Sequence, residues 1–187
     1  MLEVKTLEIA GFASALKALR LPFGLDNRSQ ITTTFKFEDD DLPELENYIE
    51  TISLVDIDFK DLQLLSTLIR RGDEHAKVLR GIVVYAEIDA PRFWWQEMDT
   101  YRVGTERLSS ASTMHIQGKG LSTEELVKMK SELTEGMMQK RIQMFSYQTL
   151  RRIYYQRKDH RLPHWHLFCD WIATLPFAKE LIIINDK

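Results

Sequence analysis

Arginines and hydroxyls gather between Arg92 and Ser112: Arg92, Thr100, Tyr101, Arg102, Arg107, Ser109, Ser110 and Ser112 fall within about twenty residues. A guanidinium is a planar, permanently charged fork that binds phosphate or carboxylate in two-point fashion, and a serine hydroxyl adds a neutral donor. Such a set suits an anion site. The residue types leave local alternatives open. Arg102 has Glu97 and Glu106 within ion-pairing reach along the chain, Ser110 suits a local turn, and Arg107 suits a solvated surface.

A second basic group lies further on, where Arg151, Arg152, Arg157, Lys158 and Arg161 are interleaved with Tyr154, Tyr155, His160, His164, Trp165 and His166. Cations mixed with aromatics fit a single-stranded nucleic acid, whose backbone and base faces they complement, and equally a solvated helix face. No carboxylate or cysteine stands at ligand spacing from the three histidines, so no metal site is expected. The acidic run Glu38-Asp39-Asp40-Asp41 reads as a solvated turn before a helix beginning at Pro43, rather than a metal site.

The elements that must carry these residues follow from periodicity. Leu2 to Ile9 alternates apolar and polar residues as a half-buried strand does, and Ile31 to Phe37 is a second, β-branched strand. A short helix over 13–21 stops at Pro22 and Gly24, and another over 61–71 carries Leu62, Leu65, Leu68 and Ile69 on one face. Ile82 to Ile88 is strand-like. Pro91 then opens a helix with Phe93, Met98 and Tyr101 on its apolar side, and Val103-Gly104-Thr105 breaks it into a polar loop. Ser122 to Glu125 is a capping box that predicts a long helical stretch to about Arg157, interrupted near Gly136. A further helix from Pro163 to about Pro176 packs Trp165, Phe168, Trp171 and Ile172. The expected class is α+β, a mixed or antiparallel sheet covered by several long helices, in one domain over 1–187.

Composition narrows the function classes. The chain has 187 residues, 44% of them hydrophobic, with a formal charge of −3, so no global field draws it to nucleic acid or membrane. Its one cysteine precludes an internal disulfide and, with no secretory signal or long apolar run, fits a cytoplasmic protein.

At these residues the chain resembles the flavin-dependent thymidylate synthases. That family carries Arg-His-Arg, seven further residues and a Ser, after a strand and a helix that opens with Arg. Here Arg92 resembles the helix-opening Arg, Thr100-Tyr101-Arg102 occupies the Arg-His-Arg slot, and Ser110 stands at the Ser position without a gap. Leu68 to His75, including Glu74 and His75, resembles an eroded form of the family's Gly-His-x-Ser-x-x-Glu-His loop. Ser112-Thr113 replaces the family's Arg-Tyr pair. The resemblance spans about 61–114, with an echo near the C-terminus, where Arg157 or Arg161 resembles an Arg that helps hold the nucleotide.

The resemblance implies a protein that acts on or binds a pyrimidine deoxynucleotide, as the family does in methylating dUMP. Its implied catalytic residues are Arg102 and Ser110, and its substrate-binding residues are Arg102, Arg107, Ser110, Arg157 and Arg161. Arg92, Thr100, Tyr101, Arg102, Glu74 and His75 are implied at the cofactor. The implied cofactor is FAD, held weakly or not at all because Thr100 and Tyr101 replace a cation and an imidazole; folate and NADPH enter only with the family reaction. A homo-oligomer, as a tetramer, is expected, without membrane association. The alternative is a non-catalytic homo-oligomeric descendant that binds a nucleotide, a single-stranded nucleic acid through the basic C-terminal helices, or a protein.

Overall fold

The protein is described by a computed structural model covering residues 1–24, 31–35 and 53–184. Its frame is a four-stranded sheet in the order β1 (Glu3–Ala10), β4 (Val83–Pro91), β6 (Met138–Ser146), β5 (Thr105–Ser110), with every pairing antiparallel. A separate hairpin-like pair, β2 (Ile31–Phe35) and β3 (Ser53–Ile57), is also antiparallel. The acidic run at 38–41 and the helix expected from Pro43 fall outside the described residues.

Helices cover one face of the large sheet. They are α1 (Phe12–Arg20), α2 (Phe59–Arg70), α3 (Arg92–Met98), α6 (Tyr147–Arg157), α7 (Pro163–Thr174) and the short α8 (Ala178–Leu181). β4 shows why: Val84, Ala86, Ile88 and Ala90 alternate with half-buried residues, so every second side chain enters the core. Against that face pack Trp94, Trp95, Phe145, Trp165, Phe168 and Trp171. Trp94 lies 4.9 Å from both Trp95 and Trp165, ring centre to ring centre. Two further helices, α4 (Thr113–Ile116) and α5 (Thr123–Ser131), lie between β5 and β6 and bury no residue.

The sequence-based expectations hold for β1, β2, α1, α2, β4 and α7, and the class is α+β with an antiparallel sheet. Three expectations need correction. The loop expected after Gly104 is the edge strand β5. The helix stretching from 123 to about 157 is instead α5, then the central strand β6, then α6. And Tyr101 lies beyond α3, which ends at Met98, although the tyrosine is buried as expected. β3 has no counterpart in the expectations.

Two ionisable groups sit inside the helix layer. Burial pushes the Cys169 thiol up to about 12, from an ordinary value of 9.0, and raises the Tyr147 hydroxyl, which donates to the Pro176 carbonyl at 2.9 Å. Both groups are neutral in the native state and ionise more easily when unfolded. Their stabilisation is complete below the unfolded pKa and declines as pH rises above about 9. Thermal unfolding followed from pH 7 to pH 11 should therefore show a falling midpoint above pH 9. Native Cys169 should also resist iodoacetamide at pH 8 while reacting in denaturant.

Candidate functional site

α3 is the hub of the site. Pro91 starts it with φ −67°, and the Arg92 and Phe93 N–H groups donate to the Met137 and Glu135 carbonyls, both at 3.0 Å. The end of the α5 excursion is thereby tied to the first turn of α3. Arg92 and Gln96 then line a cleft of about 320 Å³ with Thr113, Lys130, Leu133, Met137, Gln139 and Arg141. Three of these residues are cations and none is a carboxylate.

Arg141 is the unusual member. It comes from the central strand β6 yet is 7% exposed, with its guanidinium 4.2 Å from the Trp95 ring centre. Asp99 accepts from its Nη1 at 2.8 Å, and Gln139 Oε1 accepts from its Nε at 3.1 Å. Burial presses its pKa down, Asp99 opposes that, and Arg107 adds to it. A guanidinium still stays charged. Asp99 is 46% exposed and so neutralises Arg141 incompletely, since water screens it.

Strand pairing brings β5 to this cation. Ser110 lies directly across from Arg141, and Arg107 directly across from Gln143. Residues 107 and 110 would face opposite ways on a regular strand. The irregularity between Arg107 and Ser109 turns both to the face of Arg141. Gln143 is buried on that face, and its Oε1 has no hydrogen-bond partner among the described residues. Arg141 also borders a smaller cleft of about 240 Å³ with Ser109, Ser110, Ala111, Lys140, Ile142 and Glu87. There Lys140 is held by Glu87 at 3.0 Å.

On the other side of α3 a closed network forms. Glu97 Oε2 accepts from Arg157 Nη1 at 2.8 Å and from Trp165 Nε1 at 2.9 Å, with His160 Nε2 at 3.6 Å. Arg157 Nε donates to the Tyr101 hydroxyl at 2.8 Å, and its guanidinium lies 4.4 Å from the Trp165 ring centre. Thr100 donates its hydroxyl to the Glu97 carbonyl at 2.7 Å. Behind this network a third cleft, about 350 Å³, is lined by Arg80, Arg152, Gln148, Asp73, Ser146, Thr149, Val103 and Gly104.

Neither a family sequence model nor a curated protein sequence matches the chain. Solved structures do. Thymidylate synthase X (ThyX) from Helicobacter pylori, with FAD and dUMP, aligns at a TM-score of 0.65 and 13% identity, over 100% of this chain and 99% of that one. A second structure of that flavin-dependent enzyme, complexed with FAD and dUMP, gives 0.63 and 14%, over 96% and 97%. A UMP/dUMP methylase, PolB from Streptomyces cacaoi, bound with 5-Br dUMP, gives 0.60 and 10%, over 96% and 91%. The fold is that of the flavin-dependent thymidylate synthases.

Within this ThyX-like fold the expected site residues separate. Arg92 and Ser110 lie on clefts that share Arg141, and Arg107 faces the same side of the sheet. Arg102 is exposed and borders none of these clefts; the anticipated ion pair to Glu97 is made by Arg157 instead. Arg157 is thus committed to Tyr101 and Glu97, while Arg161 is exposed. Glu74 and His75 lie far along the sequence from α3, on an 800 Å³ cleft beside α1 with Leu19 and Val78. The paired cations that a flavin phosphate needs are missing from the 100–102 slot, where Thr100 and Tyr101 are both turned to internal bonds. That slot does not fit the group.

The basic C-terminal cluster also divides. Arg151 is buried and donates to the Ile182 and Ile184 carbonyls at 3.0 and 3.1 Å, and Arg157 is in the network above. Arg152, Lys158 and Arg161 remain exposed. The three histidines diverge: His160 faces Glu97, His164 packs edge-on against Phe93 at 5.2 Å, and His166 is exposed. Sequence reasoning missed Arg141, Gln143, Lys130 and Gln139. For Gln139, Arg141 and Gln143 the signal available was their alternation on β6, hidden by the helical reading of that stretch; Lys130 lies on the expected helix α5.

Proposed function

We propose that the protein binds a pyrimidine deoxynucleotide of the dUMP type, with its phosphate in the cleft of Arg92, Lys130 and Arg141. The observation that carries this reading is Arg141 itself. A buried guanidinium costs desolvation that one half-exposed carboxylate repays only in part. An anionic ligand would complete the balance, and the cleft offers two more cations, two glutamine amides and no carboxylate. Ser110, one strand-pair step away, and Gln143, with an unpartnered buried oxygen, supply polar contacts for the rest of a nucleotide. The likeness to nucleotide-bound structures over nearly the whole chain supports the same assignment.

Calorimetric titration with dUMP tests it. Binding in the micromolar to millimolar range that weakens steadily with added salt is expected, because the contact is ionic. No heat with dUMP at low salt would sink the reading.

A second reading, flavin-dependent methylation of that nucleotide, is supported by the 350 Å³ cleft beside the 100–104 segment, where Arg80 and Arg152 offer cations the slot lacks. Arg80 already donates to Gln148 at 2.6 Å, so flavin affinity is expected to be low. Absorbance of the purified protein near 450 nm decides: a colourless preparation is expected, and stoichiometric bound flavin would favour the enzyme.

A further inference from the structure

Gln143 carries a hydrogen-bonding requirement that the rest of the fold leaves open. Its side chain is 5% exposed, and Oε1 is buried with no partner among the described residues. Such an atom costs stability, because it has lost its water and nothing replaces it. The strands flanking β6 explain the gap. Across the pairing on β4 stands Ala86, whose methyl has nothing to donate, and across on β5 stands Arg107, which is exposed. Trp94 Nε1 and His164 Nδ1 are also buried without a partner among the described residues. Those two belong to the aromatic packing, Trp94 beside Trp95 and Trp165, and His164 against Phe93. Gln143 instead shares its face of the sheet with Arg141.

The geometry points to Gln143 as the residue that takes the 3′-hydroxyl of the nucleotide sugar, so that the site selects free mononucleotides over nucleotides joined in a strand. This assignment rests on the phosphate reading above and extends it. Arg141 and Gln143 are alternate residues of one strand, about 6.6 Å apart along one face. A nucleotide with its 5′-phosphate at Arg141 therefore brings to Gln143 a group only a few bonds from that phosphate. The 3′-hydroxyl is such a group, whereas the ring N3–H lies beyond the sugar. A hydroxyl both donates and accepts, so it satisfies the amide at either of its polar atoms. Oε1 has already lost its water before the ligand arrives, so the new bond carries little further desolvation cost. In a strand that hydroxyl is esterified. The donor is then gone, an ester oxygen faces Oε1, and the next residue on the same face is the fully buried Phe145, which leaves the chain no onward path.

Calorimetric titration of the full chain at low salt with dUMP, 2′,3′-dideoxyuridine 5′-monophosphate and 2′-deoxyuridine 3′,5′-bisphosphate is the test. Wild type should bind dUMP about tenfold more tightly than the dideoxy compound, the worth of one neutral hydrogen bond. The bisphosphate should bind more weakly than dUMP despite its extra charge. Gln143→Met keeps the length of the side chain and removes both polar atoms. It should bind dUMP and the dideoxy compound equally, with a ligand-free melting temperature no lower than wild type, because an unsatisfied acceptor has been removed. The comparison of ligands on wild type decides the matter even where the variant folds poorly. Equal binding of dUMP and the dideoxy compound by wild type, or a Gln143→Met variant that keeps the tenfold preference, would overturn the assignment alone. A bisphosphate bound as tightly as dUMP or more so would overturn it as well, and would place a second phosphate at Arg107. No binding of any of the three would instead overturn the phosphate reading, and this assignment with it.

Discussion

Glu97→Ala is expected to lower the unfolding free energy by about 2–3 kcal/mol. Three donors converge on this carboxylate: Arg157, Trp165 and, at longer range, His160. Breaking a buried pair by removing one partner costs about 3–5 kcal/mol because the other charge is left without compensation. Exposed pairs are worth less than about 1 kcal/mol. Here the side chains are 34% and 17% exposed, which sets the effect between those limits. The remaining guanidinium would keep only the Tyr101 hydroxyl and the Trp165 face. Arg157→Ala should cost a similar amount, and the double variant about 1 kcal/mol less than the sum, since each single change leaves the other's partner stranded. Urea unfolding of the four proteins measures the coupling. Strictly additive costs would show that the network is not one unit.

That network also explains why part of the fold was legible and the site was not. Strands β1 and β4 declare themselves because one face is apolar, and α7 because Trp165, Phe168, Trp171 and Ile172 repeat at helical spacing. β6 inverts the rule. On it the inward positions include Gln139, Arg141 and Gln143, while the apolar Ile142 and Met144 point the other way. Polar residues directed inward look, from sequence alone, like the polar side of a helix. Ile142 and Phe145 are three apart and complete that impression. The misread strand is therefore the one that carries the site, because binding needs polar groups where packing would place apolar ones.

The signature resemblance points to Ser110, which borders the smaller cleft beside Arg141, and to Arg102, which borders neither cleft. Arg102 and Ser110 are eight residues apart and were expected to share a pocket across a loop. With β5 a strand, the cation facing Ser110 comes instead from its neighbour across the ladder, Arg141, thirty-one residues further along. Pairing of that kind depends on register, which no local pattern in Thr105 to Ser110 fixes. Likewise Tyr101 keeps the place of a ligand-binding imidazole in the sequence but is buried, and its hydroxyl belongs to Arg157.

If Arg141 holds the phosphate, Arg141→Ala should weaken dUMP binding by about 1.5–3 kcal/mol, or roughly tenfold to more than a hundredfold. Arg141→Lys keeps the charge but loses the planar fork that bridges Gln139 and Asp99, so it should recover only part of that loss. Arg141 also rests on Trp95, and its removal will lower stability as well; melting curves without ligand measure that share separately. Ser110→Ala should cost about 0.5–1.5 kcal/mol of binding, the worth of a neutral hydrogen bond. Arg102→Ala, from an exposed position outside the cleft, should change affinity by less than about threefold, within the range of a screened surface charge. The salt slope is the second readout, because a lost phosphate contact lowers it whereas a merely loosened fold does not. Calorimetry at two salt concentrations on wild type and these variants reports both quantities. Equal binding by wild type and Arg141→Ala, with the large loss appearing in Arg102→Ala instead, would return the phosphate to the signature arginine and leave Arg141 as a packing residue of the sheet.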